Sequence, residues 1–284
     1  MSNYPFWLGG VAASMAACCT HPLDLTKVRM QTLPQSLASK SPSTIAILRH
    51  SIAESGVRSL YTGLTASLLR QMSYSLVRLG SYEEIKYALS SDGPPSTTKL
   101  LAAAALAGGL GGIAGNPADI LLVRMTSDSI RPPEKRYGYR NAFEGLVRLV
   151  KDEGIPGLTR GLVPNVASQV GSYDFFKLML LSYPLPLSNY QMRDNLLCHF
   201  TASTLAGTVA TTICSPADVL KSRLMSLSGN VNPVQVVRDS LRTEGPGFLF
   251  KGWTPAFIRL VPNTILMFVF FEQLKKQWRL LTAS

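Results

Sequence analysis

Long apolar stretches divide the chain into segments that are each long enough to cross a bilayer as a helix. Between Leu100 and Ala118, for example, no residue is charged. A membrane-spanning helix needs about 20 mainly apolar residues, whereas a soluble helix rarely contains such a run. This pattern predicts an all-α membrane protein with six transmembrane helices. The predicted spans are 6–30, 64–88, 99–125, 165–183, 196–224 and 256–276.

The polar residues of these spans follow a pattern that occurs three times. A proline is followed by an aspartate and then by basic residues, in Pro22-Leu-Asp24-Leu-Thr-Lys27-Val-Arg29, Pro117-Ala-Asp119-Ile-Leu-Leu122-Val-Arg124 and Pro216-Ala-Asp218-Val-Leu-Lys221-Ser-Arg223. A glycine-bounded element follows each copy, and then Tyr82-Glu83-Glu-Ile-Lys86, Tyr173-Asp174-Phe-Phe-Lys177 or Phe271-Glu272-Gln-Leu-Lys275. Three elements in one order, repeated three times, predict three copies of one supersecondary unit.

The basic residues outside the spans are unevenly distributed. The segments after spans one, three and five contain many Lys and Arg residues, whereas segments 87–98 and 178–192 contain none. This asymmetry is the orientation signal of a membrane protein that crosses the bilayer several times. An even number of spans then places both termini on the face opposite the basic loops.

Composition argues against several other classes of protein. The net charge is +11, but the bases are spread over loops and motifs, so we expect no nucleic-acid binding. The four cysteines lie in predicted spans without metal-ligand spacing, which indicates small buried residues and no metal site. The three histidines are scattered and no nucleophile stands beside a base, so we do not expect an enzyme.

The three repeated motifs together resemble the signature of the mitochondrial carrier family, from Gly9 to Lys276. Stretches such as Leu69-Arg70-Gln71 and Gly115-Asn116-Pro117 are similar to the dicarboxylate carriers of that family. The resemblance implies three pseudo-symmetric repeats around a central cavity, at 1–92, 93–190 and 191–284, with short helices on the matrix side. It also implies a monomer in the mitochondrial inner membrane with both termini in the intermembrane space.

The activity that this resemblance implies is antiport. Malate or succinate would be exchanged for phosphate or another dicarboxylate, and no cofactor would be needed. Bound cardiolipin is compatible with the basic surface, because anionic lipids attract clustered Lys and Arg residues.

The resemblance assigns roles to the repeated charges. The acid of one repeat pairs with the base of the next and closes a matrix gate, which pairs Asp119 with Lys221 and Asp218 with Lys27. Asp24 is expected to lack a partner, because Leu122 stands at the basic position of its neighbour. The matrix gate should therefore have two bridges, with Gln31 bracing the weak side as the corresponding glutamine does in the family.

A second set of charges would close the opposite side. By the same resemblance, the cytoplasmic gate consists of Glu83, Lys86, Asp174, Lys177, Glu272 and Lys275. Proline removes a backbone hydrogen bond inside a helix, so bends are expected in the odd-numbered spans. The expected kinks are at Pro22, Pro117 and Pro216.

Arginines deep inside spans indicate the substrate site. Arg70 and Arg259 each stand seven residues beyond the glycine that ends the second repeated element, and therefore at the same depth. An arginine in a span is costly and demands a partner. Two guanidinium groups can clamp the carboxylates of a small diacid, or a phosphate, while Arg78 adds positive field and Gln71 a hydrogen bond. The charges predict an anion; the dicarboxylate class comes from the resemblance.

The second repeat departs from the pattern. Only 12 residues separate Gly161 from Tyr173, whereas 19 separate the corresponding residues of the other repeats. A loss of seven residues shortens a helix by about 10 Å and nearly preserves its phase. We hypothesise a shortened splice form or an incorrect gene model, and we expect weak or absent transport from this form. One alternative to the dicarboxylate antiporter is a carrier of oxoglutarate, phosphate or protons. The shortened helix makes a transport-inactive membrane scaffold the other alternative.

Overall fold

The computed structural model describes residues 5, 7–33, 43–89, 97–166, 196–229 and 232–283. This part of the chain is helical and contains no strand. The helices are α1 (Trp7–Thr32), α2 (Thr44–Ser55), α3 (Leu64–Leu89), α4 (Thr97–Ser127), α5 (Ala142–Leu158), α6 (Leu196–Ser226), α7 (Pro233–Glu244) and α8 (Trp253–Ala283). One more helix begins at Leu162 and is described as far as Val166.

Five long helices occupy the places of predicted spans, namely α1, α3, α4, α6 and α8. Most of the predicted fourth span lies outside the described residues, and so does the shortened stretch before Tyr173. By length and apolar composition, two described segments could cross a membrane: Ala102–Ile130 and Pro246–Leu281. Few residues in the apolar window of the second segment are buried, and the rest are half-buried or exposed.

The short helices α2, α5 and α7 start in the same way. The side chain of Ser43 accepts a hydrogen bond from the backbone N–H of Ala46, that of Asn141 from Glu144, and that of Asn232 from Val234. Such N-cap residues satisfy backbone donors that the first turn of a helix leaves unpaired. The caps explain why a helix restarts at these positions in each of the three repeats.

Glycines bound the linker that follows each short helix. Gly154 interrupts α5 with φ 67°, and Gly56 and Gly245 have φ 70° and 69° at the ends of α2 and α7. Side chains rarely tolerate this left-handed conformation. At the end of the second linker, a methyl group on Gly161 would lie 2.9 Å from Cγ of Met225. The linkers therefore pass directly against the long helix of the next repeat.

The residue before each motif proline ties the long helix to this linker. A polar side chain occupies the position each time, and each one donates a hydrogen bond to a backbone carbonyl. The bonds join His21 to Thr62 at 3.0 Å, Asn116 to Leu158 at 2.6 Å and Ser215 to Leu249 at 3.0 Å. The prolines lie inside α1, α4 and α6, and the predicted bends stay predictions.

The buried core lies at the end of the molecule that carries the proline motifs. Its centre is α4, where Ile120 and Leu121 are fully buried, together with Leu149 of α5 and Met225 of α6. Farther along, α3 packs along α4, and α1 packs along α3 and α8. This packing brings the repeated charges of separate helices close together.

Candidate functional site

Two ion pairs join the long helices across the repeats. Nζ of Lys27 in α1 lies 2.6 Å from Asp218 in α6, and Nζ of Lys221 in α6 lies 2.8 Å from Asp119 in α4. Both pairings are those that the resemblance implies. We call Asp24, Lys27, Asp119, Asp218 and Lys221 the proline-motif ring.

The third acid of the proline-motif ring also has a basic partner. Nε of Arg259 in α8 lies 2.9 Å from Asp24, and its Nη1 donates to the same carboxylate at 3.2 Å. The prediction that Asp24 lacks a partner is therefore wrong. It considered only the base that the motif places at position 122, whereas the arginine comes from a different helix.

The second predicted binding arginine has a similar place. Nε of Arg70 in α3 lies 3.5 Å from Asp119, which also pairs with Lys221. Nε of Arg70 and Nε of Arg259 are both buried, and each contacts its ring acid as an ion pair without the geometry of a hydrogen bond. Each arginine thus brings a buried positive charge to a ring acid.

Gln31 lies on a different side from the one predicted. Its side-chain oxygen accepts a hydrogen bond from Ser222 of α6 at 2.7 Å. This bond joins α1 to α6, the two helices that Lys27 and Asp218 already connect. The prediction that Gln31 braces the side of Asp24 and Leu122 is wrong in this respect, because the partner of Gln31 belongs to the third repeat.

The other predicted binding residues lie along α3. Nη1 of Arg78 donates to the hydroxyl of Tyr74 at 3.2 Å, one turn earlier in the same helix. Both side chains face α4, because a methyl group on Gly111 would lie 3.1 Å from the Tyr74 ring and 3.2 Å from Cβ of Arg78. Gln71 is half-buried next to Arg70.

The predicted cytoplasmic set is described only in part. Lys275 binds Glu272 of its own helix at 2.9 Å and lies 4.3 Å from the centre of the Phe271 ring. Glu83 is exposed and Lys86 half-buried near the end of α3. Asp174 and Lys177 lie outside the described residues. The acid of α8 is thus paired within its helix, whereas the acids of the proline-motif ring are paired between helices.

The contacts of the last base in each proline motif were not predicted from the sequence. Each of these arginines crosses to the next repeat and donates to a backbone carbonyl at its helix end: Arg29 to Thr126 at 3.0 Å, Arg124 to Met225 at 3.2 Å, and Arg223 to Gln31 at 3.2 Å. The three bonds form a closed cycle around the molecule. The triplication of this base in the sequence was the available signal.

Two of these arginines also bind an acid of the short helices. Arg124 pairs with Glu153 at 2.7 Å, and Arg223 pairs with Glu244 at 2.5 Å. Lys251 adds a second base to Glu244 at 2.8 Å. Burial alone would raise the pKa of Glu244, but the hydrogen bonds from Arg223 and Lys251 outweigh it and hold the pKa below its usual value.

Three similar units of long helices, joined by buried charges and closed by a cycle of arginines, define a membrane protein of the threefold carrier class. The sequence model of the mitochondrial carrier proteins matches the chain three times, at residues 3–93, 93–183 and 193–280. The chain belongs to the mitochondrial carrier family.

Individual relatives are similar over nearly their full length. Mitochondrial citrate transporter F of Aspergillus niger is 46% identical, with 98% of this chain and 91% of the relative covered. The mitochondrial dicarboxylate transporter of Saccharomyces cerevisiae is 41% identical, with coverage of 96% and 92%. The mitochondrial 2-oxoglutarate/malate carrier protein of Bos taurus is 39% identical, with coverage of 98% and 92%.

Proposed function

We propose that this protein exchanges small dicarboxylates, such as malate and succinate, for phosphate or another dicarboxylate across the mitochondrial inner membrane. One observation carries the proposal. Arg70 and Arg259 come from different repeats, contact equivalent acids of the proline-motif ring, and each place a buried Nε beside the acid that they contact. The site therefore offers two guanidinium forks at one level of the helix bundle.

Two forks suit a substrate with two separated negative groups. An arginine binds a carboxylate through two parallel N–H donors, which fixes orientation as well as charge. The yeast and bovine relatives are named for dicarboxylate and oxoglutarate/malate transport, which supports the same class of substrate. Arg78 and Gln71 stand along the same helix and complete the proposed site.

Transport would proceed by alternating access. The acids of the proline-motif ring are paired in this structure, and in the proposed mechanism this state would be the closed matrix gate. Opening would break these pairs while the acids and bases near the ends of α3 and α8 pair between helices on the cytoplasmic side. A binding site between two such gates is a common arrangement in secondary transporters.

The proposal includes the orientation and surroundings of the protein. The basic loops would face the matrix and both termini the intermembrane space. Cardiolipin would bind at the matrix side, where a cavity of about 960 Å³ includes Arg160, Gly161 and Pro233 in its lining. We propose a monomer as the transporting unit.

Citrate is the second candidate substrate. The observation that favours it is the 46% identity to a relative named as a citrate transporter. Citrate carries one more carboxylate than malate, and its binding would need a further positive group besides the two forks. Arg78, half-buried two turns from Arg70 on α3, is the described residue placed to supply it.

A counter-exchange assay tests the function. The purified 284-residue protein would be reconstituted into liposomes loaded with malate, and uptake of malate, succinate, phosphate, oxoglutarate and citrate would be compared. We expect exchange of malate and succinate that requires internal anion, at a low rate because the second repeat lacks seven residues. Faster exchange of citrate would favour the second candidate, and exchange of none of these anions would support the transport-inactive scaffold.

A further inference from the structure

The three acids of the proline-motif ring do not have equivalent partners. Asp119 has both Lys221 and Arg70 within ion-pair distance. Asp24 has Arg259 as its basic partner among the described residues. The motif position that supplies Lys27 and Lys221 in the other repeats holds Leu122, which is buried in the apolar core. One ring acid thus depends on a residue that the substrate also needs.

We infer that Arg259 serves two carboxylates in turn, neutralising Asp24 while the ring is closed and binding a substrate carboxylate during transport. This inference rests on the proposed function. When substrate takes Arg259, the buried Asp24 loses the partner that the described residues give it. A buried carboxylate without a partner is strongly unfavourable, so substrate binding weakens the closed ring at this position.

The same competition has a smaller effect at the other arginine. If substrate takes Arg70, Asp119 keeps its contact with Lys221 at 2.8 Å. The coupling between binding and opening is therefore concentrated where α8 meets α1. Leu122 is the cause, because a base at that position would hold Asp24 whether or not substrate is present.

Removal of the Asp24 charge tests this competition directly. In Asp24→Asn, substrate no longer has to displace a carboxylate from Arg259, so we expect malate to bind at least about fivefold more tightly, a common size for such coupling. The amide has the shape of the carboxylate, which favours folding. Binding would be measured from the malate dependence of the thermal unfolding of the purified protein. Unchanged or weaker binding would overturn the inference.

Leu122→Lys tests the converse. The lysine would give Asp24 a permanent partner, so we expect the unliganded protein to unfold about 2–4 °C higher, the shift that one more kcal/mol gives a domain of this size. Exchange should be about tenfold slower, as one further ion pair must break before opening. Leu122→Met measures the effect of altered packing alone. The higher unfolding temperature and the slower exchange should both vanish in the Leu122→Lys/Asp24→Asn double variant.

The two hypotheses fail in different ways. If the unmodified protein exchanges no anion, the proposed function is rejected and this inference with it. If the unmodified protein exchanges malate and Leu122→Lys exchanges it equally fast, the inference alone is rejected.

Discussion

The guanidinium group of Arg124 holds the carboxylate of Glu153 with two hydrogen bonds, at 2.7 and 3.0 Å. The arginine side chain is fully buried, and its Nε reaches the carbonyl of Met225 in the next repeat. One side chain therefore fixes the end of α4 to α5 and to α6. Arg223 makes the equivalent contacts with Glu244 and Gln31. This pair of contacts sets the position of the short helices relative to the proline-motif ring.

Glu153→Gln should destabilise the fold substantially. Removal of one charge from a buried pair leaves the arginine without compensation and typically costs about 3 kcal/mol. The free energy of unfolding would be measured in detergent or lipid nanodiscs. Glu144→Gln is the matched control, because its partner Arg148 lies 3.6 Å away on the surface of the same helix. Such an exposed pair contributes less than about 1 kcal/mol, so equal losses would contradict the assigned role of Glu153.

Ser51→Ala should be more damaging than the equivalent Ser240→Ala. Arg29 donates to the hydroxyl of Ser51. Among the described residues, no carboxylate lies within ion-pair distance of the Arg29 guanidinium group. A hydrogen bond to a charged group contributes about 2 kcal/mol. When the Ser51 hydroxyl is removed, no carboxylate in the described part of the chain compensates Arg29 for this bond. Arg223 donates to Ser240 at 2.6 Å but keeps Glu244 when that hydroxyl is removed. Thermal unfolding of the two variants gives the comparison, and a greater loss in Ser240→Ala would count against it.

The pairing of Glu244 makes stability depend on pH in a defined direction. Its pKa is lower in the folded protein than in the unfolded chain, through Arg223 and Lys251. The stabilisation is therefore fully present above the ordinary pKa of a glutamate and is lost as pH falls through the folded value. We expect Glu244→Gln to be less stable than the unmodified protein at pH 7. The difference should stay constant from pH 7 down to the ordinary glutamate pKa of 4.5 and shrink as the pH falls further. A difference that stays constant well below that pH would contradict the assignment.

Much of the fold was predictable because the same sequence motifs occur in three copies. Apolar length and the threefold repeat together predicted the spans, and the repeated proline motif predicted acids and bases on equivalent faces of α1, α4 and α6. The two inter-helix pairs of Lys27 and Lys221 are those that the family resemblance implies. The roles of these residues as a gate stay predictions, which the exchange assays address.

The contacts between residues of different sequence elements could not be predicted in the same way. Asp24 pairs with Arg259 although the two residues are 235 positions apart and belong to different motifs. Gln31 contacts Ser222, a position that is serine in only one of the three motifs. The contact of Gln31 does not repeat along the chain, so no periodic signal marks it. The contact of Asp24 with Arg259 has an equivalent in Asp119 and Arg70, but each joins two different sequence elements, and only the packing of the helices shows it.

Arg70→Lys should impair substrate exchange while leaving the ring closed. Lysine keeps the charge but replaces a rigid two-donor fork with a single flexible ammonium group, so bidentate binding of a carboxylate is lost. We expect the ratio kcat/KM for malate to fall about tenfold to a hundredfold, the range for one or two hydrogen bonds to a charged group. The stability of the protein should change little, because Asp119 keeps Lys221 at 2.8 Å. Arg148→Lys, a half-exposed arginine on α5, is the matched control and should exchange malate at the unmodified rate. Equal exchange by both variants would show that the fork of Arg70 does not bind substrate.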